Sequence, residues 1–169
     1  MDREKNKPLI ILGIDPGTRV SGYGIIEVRG SSYVPIDYGC IRPPLDYELF
    51  DRYYALFENV ERLLVKYSPG AVVVETQYVN KNVQSALKVG MARGAVIIAA
   101  RKNGLDMFEY SPTTAKKAVV GSGSASKQQV QAMVQRLLGL SQPPPEDAAD
   151  ALSLAICHAQ RCNQHVSLR

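Results

Sequence analysis

The chain has 169 residues, which at about 150 residues per domain means one domain with short appendages and no room for a second catalytic lobe. With 46% hydrophobic and 21% charged residues it has globular composition, so a disordered chain and a small disulfide scaffold are disfavoured. The net charge of +4 hides an asymmetry: residues 81–140 hold nine Lys/Arg against Asp106 and Glu109, which is +7 there and −3 elsewhere, a segregation that suggests nucleic acid as partner rather than a membrane.

After a charged N-terminal extension, 1–8, the expected domain spans 9–161, with 162–169 as a tail. Residues 8–14 (PLIILGI) read as a continuous apolar strand ending at Asp15, followed by the turn dipeptide Pro16-Gly17. This run is shorter than a typical signal h-region, and no run approaches the ~18 apolar residues of a membrane span, so a cytosolic protein is expected. Residues 20–28 and 33–41, rich in β-branched and aromatic residues, read as two more strands of an antiparallel meander. Pro43-Pro44 stops the third. Leu49, Tyr53, Leu56, Val60, Leu63 and Leu64 then recur at helical spacing over 47–67.

A short buried strand, 71–74, ends at Glu75, and another is expected over 105–110. Between them a helix over 82–102 carries Ala86, Gly90 and Gly94 at i, i+4 and i+8, a stripe where another backbone can approach closely. That backbone belongs either to this chain's own sheet or to a second copy. A short helix is expected over 113–120. Ser126 with Gln129 resembles a capping box opening a helix to 138, and Pro143-Pro144-Pro145 precedes a last helix over 145–161. This order describes an α/β fold, a mixed five-stranded sheet flanked by helices, and matches a ribonuclease H-like architecture better than a doubly wound sheet.

Cys40, Cys157 and Cys162 are odd in number and badly spaced for a disulfide framework, which implies a reducing compartment. Cys157 and Cys162 with His158 and His165 do not make a recognised zinc spacing and read as helix surface and tail.

Four acids stand out. Asp15 and Glu75 each end a short apolar strand, so if those strands are parallel neighbours the two carboxylates emerge side by side at one sheet edge. Asp147 and Asp150 share one face of the last helix, and Asp150 interrupts the apolar stretch 148–156. Such a cluster needs positive charge to neutralise it. Oxygen-only donors select a hard cation, Mg²⁺ or Mn²⁺, over zinc, and carboxylates bridging two such ions are a means of phosphodiester hydrolysis.

The segments DPGTRVSGYGII at 15–26, Val74-Glu75, SALKVGMARG at 85–94 and DAADAL at 147–152, in this order and spacing, resemble the RuvC family of bacterial Holliday junction resolvases. The resemblance implies a metal-dependent endodeoxyribonuclease that resolves four-way DNA junctions by paired symmetric cuts in recombination and repair. It implies that Asp15, Glu75, Asp147 and Asp150 are the catalytic, metal-binding carboxylates, with two ions per subunit. Lys116 and Lys127 match basic positions near the family's active site, and Tyr78 stands where relatives usually carry Phe, at a junction contact. Lys81, Lys88, Arg93 and Lys117 join them as candidate phosphate contacts. The family acts as a homodimer across the helix carrying Ala86, Gly90 and Gly94, and a branch-migration motor is an expected partner.

Two other readings compete. The Asp-x-Gly-Thr hairpin also resembles the first phosphate loop of the actin and sugar-kinase superfamily, but that fold needs two lobes and a second glycine-rich loop. A non-catalytic junction-binding scaffold accounts for the basic bias and leaves the four acids unexplained.

Overall fold

The computed structural model describes residues 8–76 and 82–166. In chain order they form β1 (Leu9–Asp15), β2 (Ser21–Arg29), β3 (Ser32–Ile41), α1 (Leu49–Tyr67), β4 (Ala71–Glu75), α2 (Val83–Lys102), β5 (Met107–Tyr110), α3 (Pro112–Val120), α4 (Lys127–Leu138) and α5 (Glu146–Val166). The sheet order is β3-β2-β1-β4-β5, antiparallel from β3 to β1 and parallel from β1 to β5. This is the mixed sheet expected from the sequence. The capping box is also present, Ser126 Oγ accepting from Gln129 N at 3.2 Å and Gln129 Oε1 from Ser126 N at 2.8 Å.

Two boundaries differ from expectation. Strand β5 starts at Met107, because Leu105 N still donates to Ala100 O at 3.0 Å and closes the turn that ends α2. Helix α5 runs to Val166, so 162–166 is helix rather than tail. Cys157 and His158 are buried within it, as core rather than surface.

Strand alternation sends successive side chains to opposite faces and so splits the core in two. Ile11, Ile26 and Val73 pack with α3, α4 and α5 on one face, whereas Leu12, Ile14, Ile25, Val72 and Val74 pack with α1 and α2 on the other. By the same alternation Gly13, Asp15 and Glu75 belong to the α5 face.

Helix α2 is long and apolar enough, by length and composition, to cross a membrane. Lys88 and Arg93 interrupt its apolar pattern, so it holds no unbroken apolar run of that length. Its Ala92, Val96, Ala99 and Ala100 face the core, and its excess apolarity comes from exposed Val83, Leu87, Met91 and Ile98.

Candidate active site

The acids reach one place through a glycine contact. Gly13, on β1 two residues before Asp15, lies under α5: a Cβ there would overlap the carbonyl oxygen of Ala151. Gly22, the cross-strand partner of Asp15, lies under the first turn of α5, where a Cβ would overlap the carbonyl of Asp147. A strand glycine marks close backbone approach, and these two let α5 rest directly on β1 and β2. Asp15 is thereby flanked on the sheet by the positions beneath Asp147 and Ala151. On its other side β1 pairs with β4 in parallel, Ile14 with Val74, and the next step of that register sets Asp15 beside Glu75. The turn between β1 and β2 is pinned by buried Ser21, whose Oγ accepts from Gly17 N at 3.0 Å and donates to Gly17 O at 3.1 Å.

Electrostatics report the proximity of the acids. Burial pushes the Asp15 carboxyl up to about 8, reinforced by Glu75, Asp150 and Asp147 and opposed by Lys127. Burial likewise raises Glu75, with Asp150 adding to the effect and Lys116 opposing it. Asp150 is raised by burial against the pull of Lys127 and Lys116. Among the described residues no three carboxylates, imidazoles or thiols converge into a ready-made metal cage. Carboxylates that raise one another's proton affinity repel, and such repulsion opposes closing the cage without a cation.

A cleft of about 180 Å³ opens beside the acids, lined by Glu75, Pro112, Ala115, Lys116, Lys127, Asp150, Ser153 and Leu154. Lys116 and Lys127 therefore belong with the acids. Lys127 is ion-paired to Glu146, a bond that raises the lysine's pKa further. Lys117 is exposed on α3. Lys88 and Arg93 are on α2, across the sheet from the cleft; Lys88 is exposed, and Arg93 is ion-paired to Glu109. Tyr78 and Lys81 lie outside the described residues.

The stripe on α2 does not pack on its own sheet. Gly90 is exposed, and a Cβ at Gly94 would meet nothing within 4 Å. Its apolar neighbours Leu87, Met91 and Ile98 are 64%, 50% and 62% exposed.

Sequence reasoning missed three structural features around the site. The cradle under α5 had a signal, glycines at 13, 22 and 24 inside strand patterns. The Lys127–Glu146 pair joins residues 19 apart, and the bond from Tyr110 to His158 joins residues 48 apart, so neither has a local signature.

A ribonuclease H-like sheet that brings carboxylates from two parallel strand ends and a crossing helix near a lysine-lined cleft has the donors that metal-dependent phosphodiester hydrolysis requires, and so suggests the class of metal-dependent nucleases. Comparison with known proteins makes the class specific. The family described as Crossover junction endodeoxyribonuclease RuvC matches residues 11–158. A protein of that name from Protochlamydia amoebophila (strain UWE25) is 64% identical over 153 residues, 90% of this chain and 91% of its own length. One from Heliobacterium modesticaldum (strain ATCC 51547 / Ice1) is 46% identical over 162 residues, 95% of this chain and all of its own. Among solved structures, Thermus thermophilus RuvC in complex with Holliday junction substrate superposes with a TM-score of 0.87 at 33% identity, covering 93% of this chain and 96% of that one. The yeast mitochondrial Holliday junction resolvase, TM-score 0.63 at 16% identity, shares the fold. The chain belongs to the RuvC family and is a metal-dependent endodeoxyribonuclease of crossover junctions.

Proposed function

We propose that the protein resolves four-way DNA junctions as a homodimer, each subunit hydrolysing one of two symmetry-related strands at a site built from Asp15, Glu75, Asp147 and Asp150. The observation that carries this reading is the gathering of these acids around the glycine contact between β1, β2 and α5.

The donor set suits a hard divalent cation. All four donors are carboxylates, three of them are raised in proton affinity, and the opposing positive charge comes from Lys116 and Lys127. We assign Mg²⁺, with Mn²⁺ as substitute, and two ions per subunit. When bound, such ions lower the pKa of a water and stabilise the leaving oxygen of an in-line displacement. The chain's own residues do the rest. The acids hold the site negative and open on the cleft side, while Lys116 and Lys127 draw the scissile phosphate in and fix its register. Lys127 exchanges Glu146 for a phosphate oxygen as DNA arrives. Water adds to phosphorus as the bond to O3′ breaks, leaving 5′-phosphate and 3′-hydroxyl ends.

Support for the dimer comes from α2, whose outward face presents Leu87, Met91 and Ile98 around small residues. A helix apolar on both sides needs cover on both. A two-fold pair presents identical sites to two strands of like polarity. Membership in this bacterial family supports a cytoplasmic setting and a branch-migration motor as a further partner. Lys81, Lys88, Lys117 and Tyr78 remain proposed DNA contacts, and Arg93 is one only if a phosphate displaces Glu109.

The test is a synthetic four-way junction incubated with Mg²⁺ or Mn²⁺. We expect paired, ligatable nicks from the wild-type protein. The amide variants of each acid should lose about a thousandfold or more in rate, about 4 kcal/mol of transition-state stabilisation, while still binding the junction. Intact junctions across a full titration of both metals would overturn the reading.

A further inference from the structure

Helix α5 buries a polar group that the cleft does not use. The imidazole of His158 is 5% exposed, its Nδ1 is 2.8 Å from Tyr110 Oη, and its Nε2 is 3.5 Å from Cys162 Sγ. The Phe108 ring lies against it, with centroids 4.1 Å apart, and the Arg161 guanidinium lies 4.9 Å over the Tyr110 ring. Either neutral tautomer satisfies both ring nitrogens: the phenol donates and Nε2–H points to sulfur, or Nδ1–H donates and the thiol points to Nε2. Burial, assisted by Arg161, holds the imidazole below its ordinary pKa and keeps it neutral.

We propose that the Tyr110–His158 hydrogen bond is a positioning strut for the acid cluster, setting Glu75 and Lys116 on one side against Asp147 and Asp150 on the other. The inference rests on the reading that these acids hold the metal.

The elements themselves supply the reason a strut is needed. The glycine contact holds α5 to β1 and β2, the half of the sheet that carries Asp15. Glu75 belongs to the other half. Tyr110 pairs with Glu75 in the β4–β5 ladder, and its carbonyl accepts from Thr76 N at 2.9 Å. The next residue, Ser111, caps α3 by accepting from Thr114 N at 3.1 Å, and α3 carries Lys116 into the cleft. Tyr110 is thus a shared anchor of Glu75 and Lys116, and the hydroxyl of that anchor is held by the helix that carries Asp147 and Asp150. His158 is eight residues after Asp150, about 12 Å along the helix. Apolar packing between these units is non-directional, whereas the hydrogen bond fixes a distance and a rotation. A second tether, Gln160 Nε2 donating to Ala118 O at 2.9 Å, keeps α5 on α3 when the first is cut.

Tyr110→Phe removes only the hydroxyl. His158→Leu removes the partner, and His158→Asn restores a polar atom near the place of Nδ1. The DNA-free, full-length variants are titrated with Mn²⁺ by calorimetry, melted thermally, and assayed for the saturating cleavage rate and junction Kd. We expect Tyr110→Phe and His158→Leu to melt cooperatively and bind Mn²⁺ about tenfold more weakly, the lower end of what losing the groups that orient a metal's ligands costs. At saturating Mn²⁺ the cleavage rate should fall at least as far, with junction Kd held, and His158→Asn should recover most of both losses. Mn²⁺ affinity and saturating rate within about twofold of wild type in Tyr110→Phe, even with a lowered Tm, would reduce the bond to a core contact and overturn the proposal. Should Tyr110→Phe not fold, equal Mn²⁺ affinities in the wild type and the folded His158 variants would overturn it instead. Glu75→Gln separates the two levels: if it too binds Mn²⁺ as wild type does, the metal reading fails and takes the strut with it, whereas a weakened Glu75→Gln beside an unchanged Tyr110→Phe sinks the strut alone.

Discussion

Asp15→Asn keeps the shape of the strand end while removing a charge that its surroundings oppose, so it should stabilise the metal-free protein as it abolishes cleavage. The carboxyl is pushed from 3.8 up to about 8, by burial first and then by Glu75, Asp150 and Asp147, with Lys127 opposing. A raised carboxyl pKa means that between those two values the folded protein holds a proton that the unfolded chain releases. Wild-type stability therefore falls as pH climbs from about 4 to about 8 and is flat above, as far as this group is concerned. At about 1.4 kcal/mol per unit the shift sets a ceiling near 6 kcal/mol. Water in the open cleft screens part of the repulsion, which brings the expected gain to about 2–3 kcal/mol. In a chain of this size that is about 5–10 °C in Tm. Melts of both proteins in EDTA should converge below about pH 3, where Asp15 is protonated folded and unfolded alike, and diverge from there up to about pH 8. Excess Mn²⁺ should then close the gap from the wild-type side, since a cation neutralises what the amide lacks. An Asn variant that melts at or below wild type above about pH 8 in EDTA would refute the idea that burial and the neighbouring acids oppose a charge at Asp15.

Lys116→Ala and Lys127→Ala should each lower cleavage without unfolding the protein and reduce the salt slope of junction binding by about 0.9 for each phosphate no longer neutralised; unchanged slopes would make them solvated charge only. Gly94→Leu adds bulk where the chain itself offers nothing within 4 Å, so we expect a folded monomer by ultracentrifugation that fails to make paired cuts; an unfolded variant would place the stripe in this chain's own core. Gly22→Ala drives a Cβ into the Asp147 carbonyl, backbone against backbone, and should lower stability by about 1–3 kcal/mol or more with cleavage falling about a hundredfold; near-normal melting and activity would show that α5 does not depend on that close approach.

The sheet was legible because its strands are short, apolar and punctuated by Pro16-Gly17, Gly30 and Pro43-Pro44, and the helices because their apolar spacing and caps are local. Asp15 and Glu75 were legible as strand ends, and Asp150 as an acid inside an apolar stretch. What brings them together was harder to read. The glycines that let α5 rest on the sheet act through atoms they lack, and their partner helix is more than a hundred residues away in sequence. The strand end at Tyr110 gave no hint of His158, because a single hydrogen bond between distant elements leaves no periodicity. Helix α5 outruns its expected end for a related reason: Cys157, His158 and Cys162 look like possible ligands near a tail, whereas burial makes the first two part of the core.

The two faces of the sheet divide the work, and charge explains why they can. On the α5 face the cleft gathers carboxylates that repel one another and would equally repel a phosphate, so lysines alone do not make it a good seat for DNA. A cation that neutralises the acids lowers the barrier to an incoming phosphate, and a phosphate oxygen in the cleft adds negative charge that favours the cation. Linkage makes these two effects one coupling free energy, so at the proposed site metal and junction would strengthen each other's binding. On the opposite face α2 presents apolar side chains whose association depends on area removed from water rather than on charge. A dimer formed through that face, as proposed, would be insensitive to the protonation and metal content of the cleft. In the proposed dimer two subunits would stay paired while each site waits empty, each becoming competent only when metal and strand arrive together.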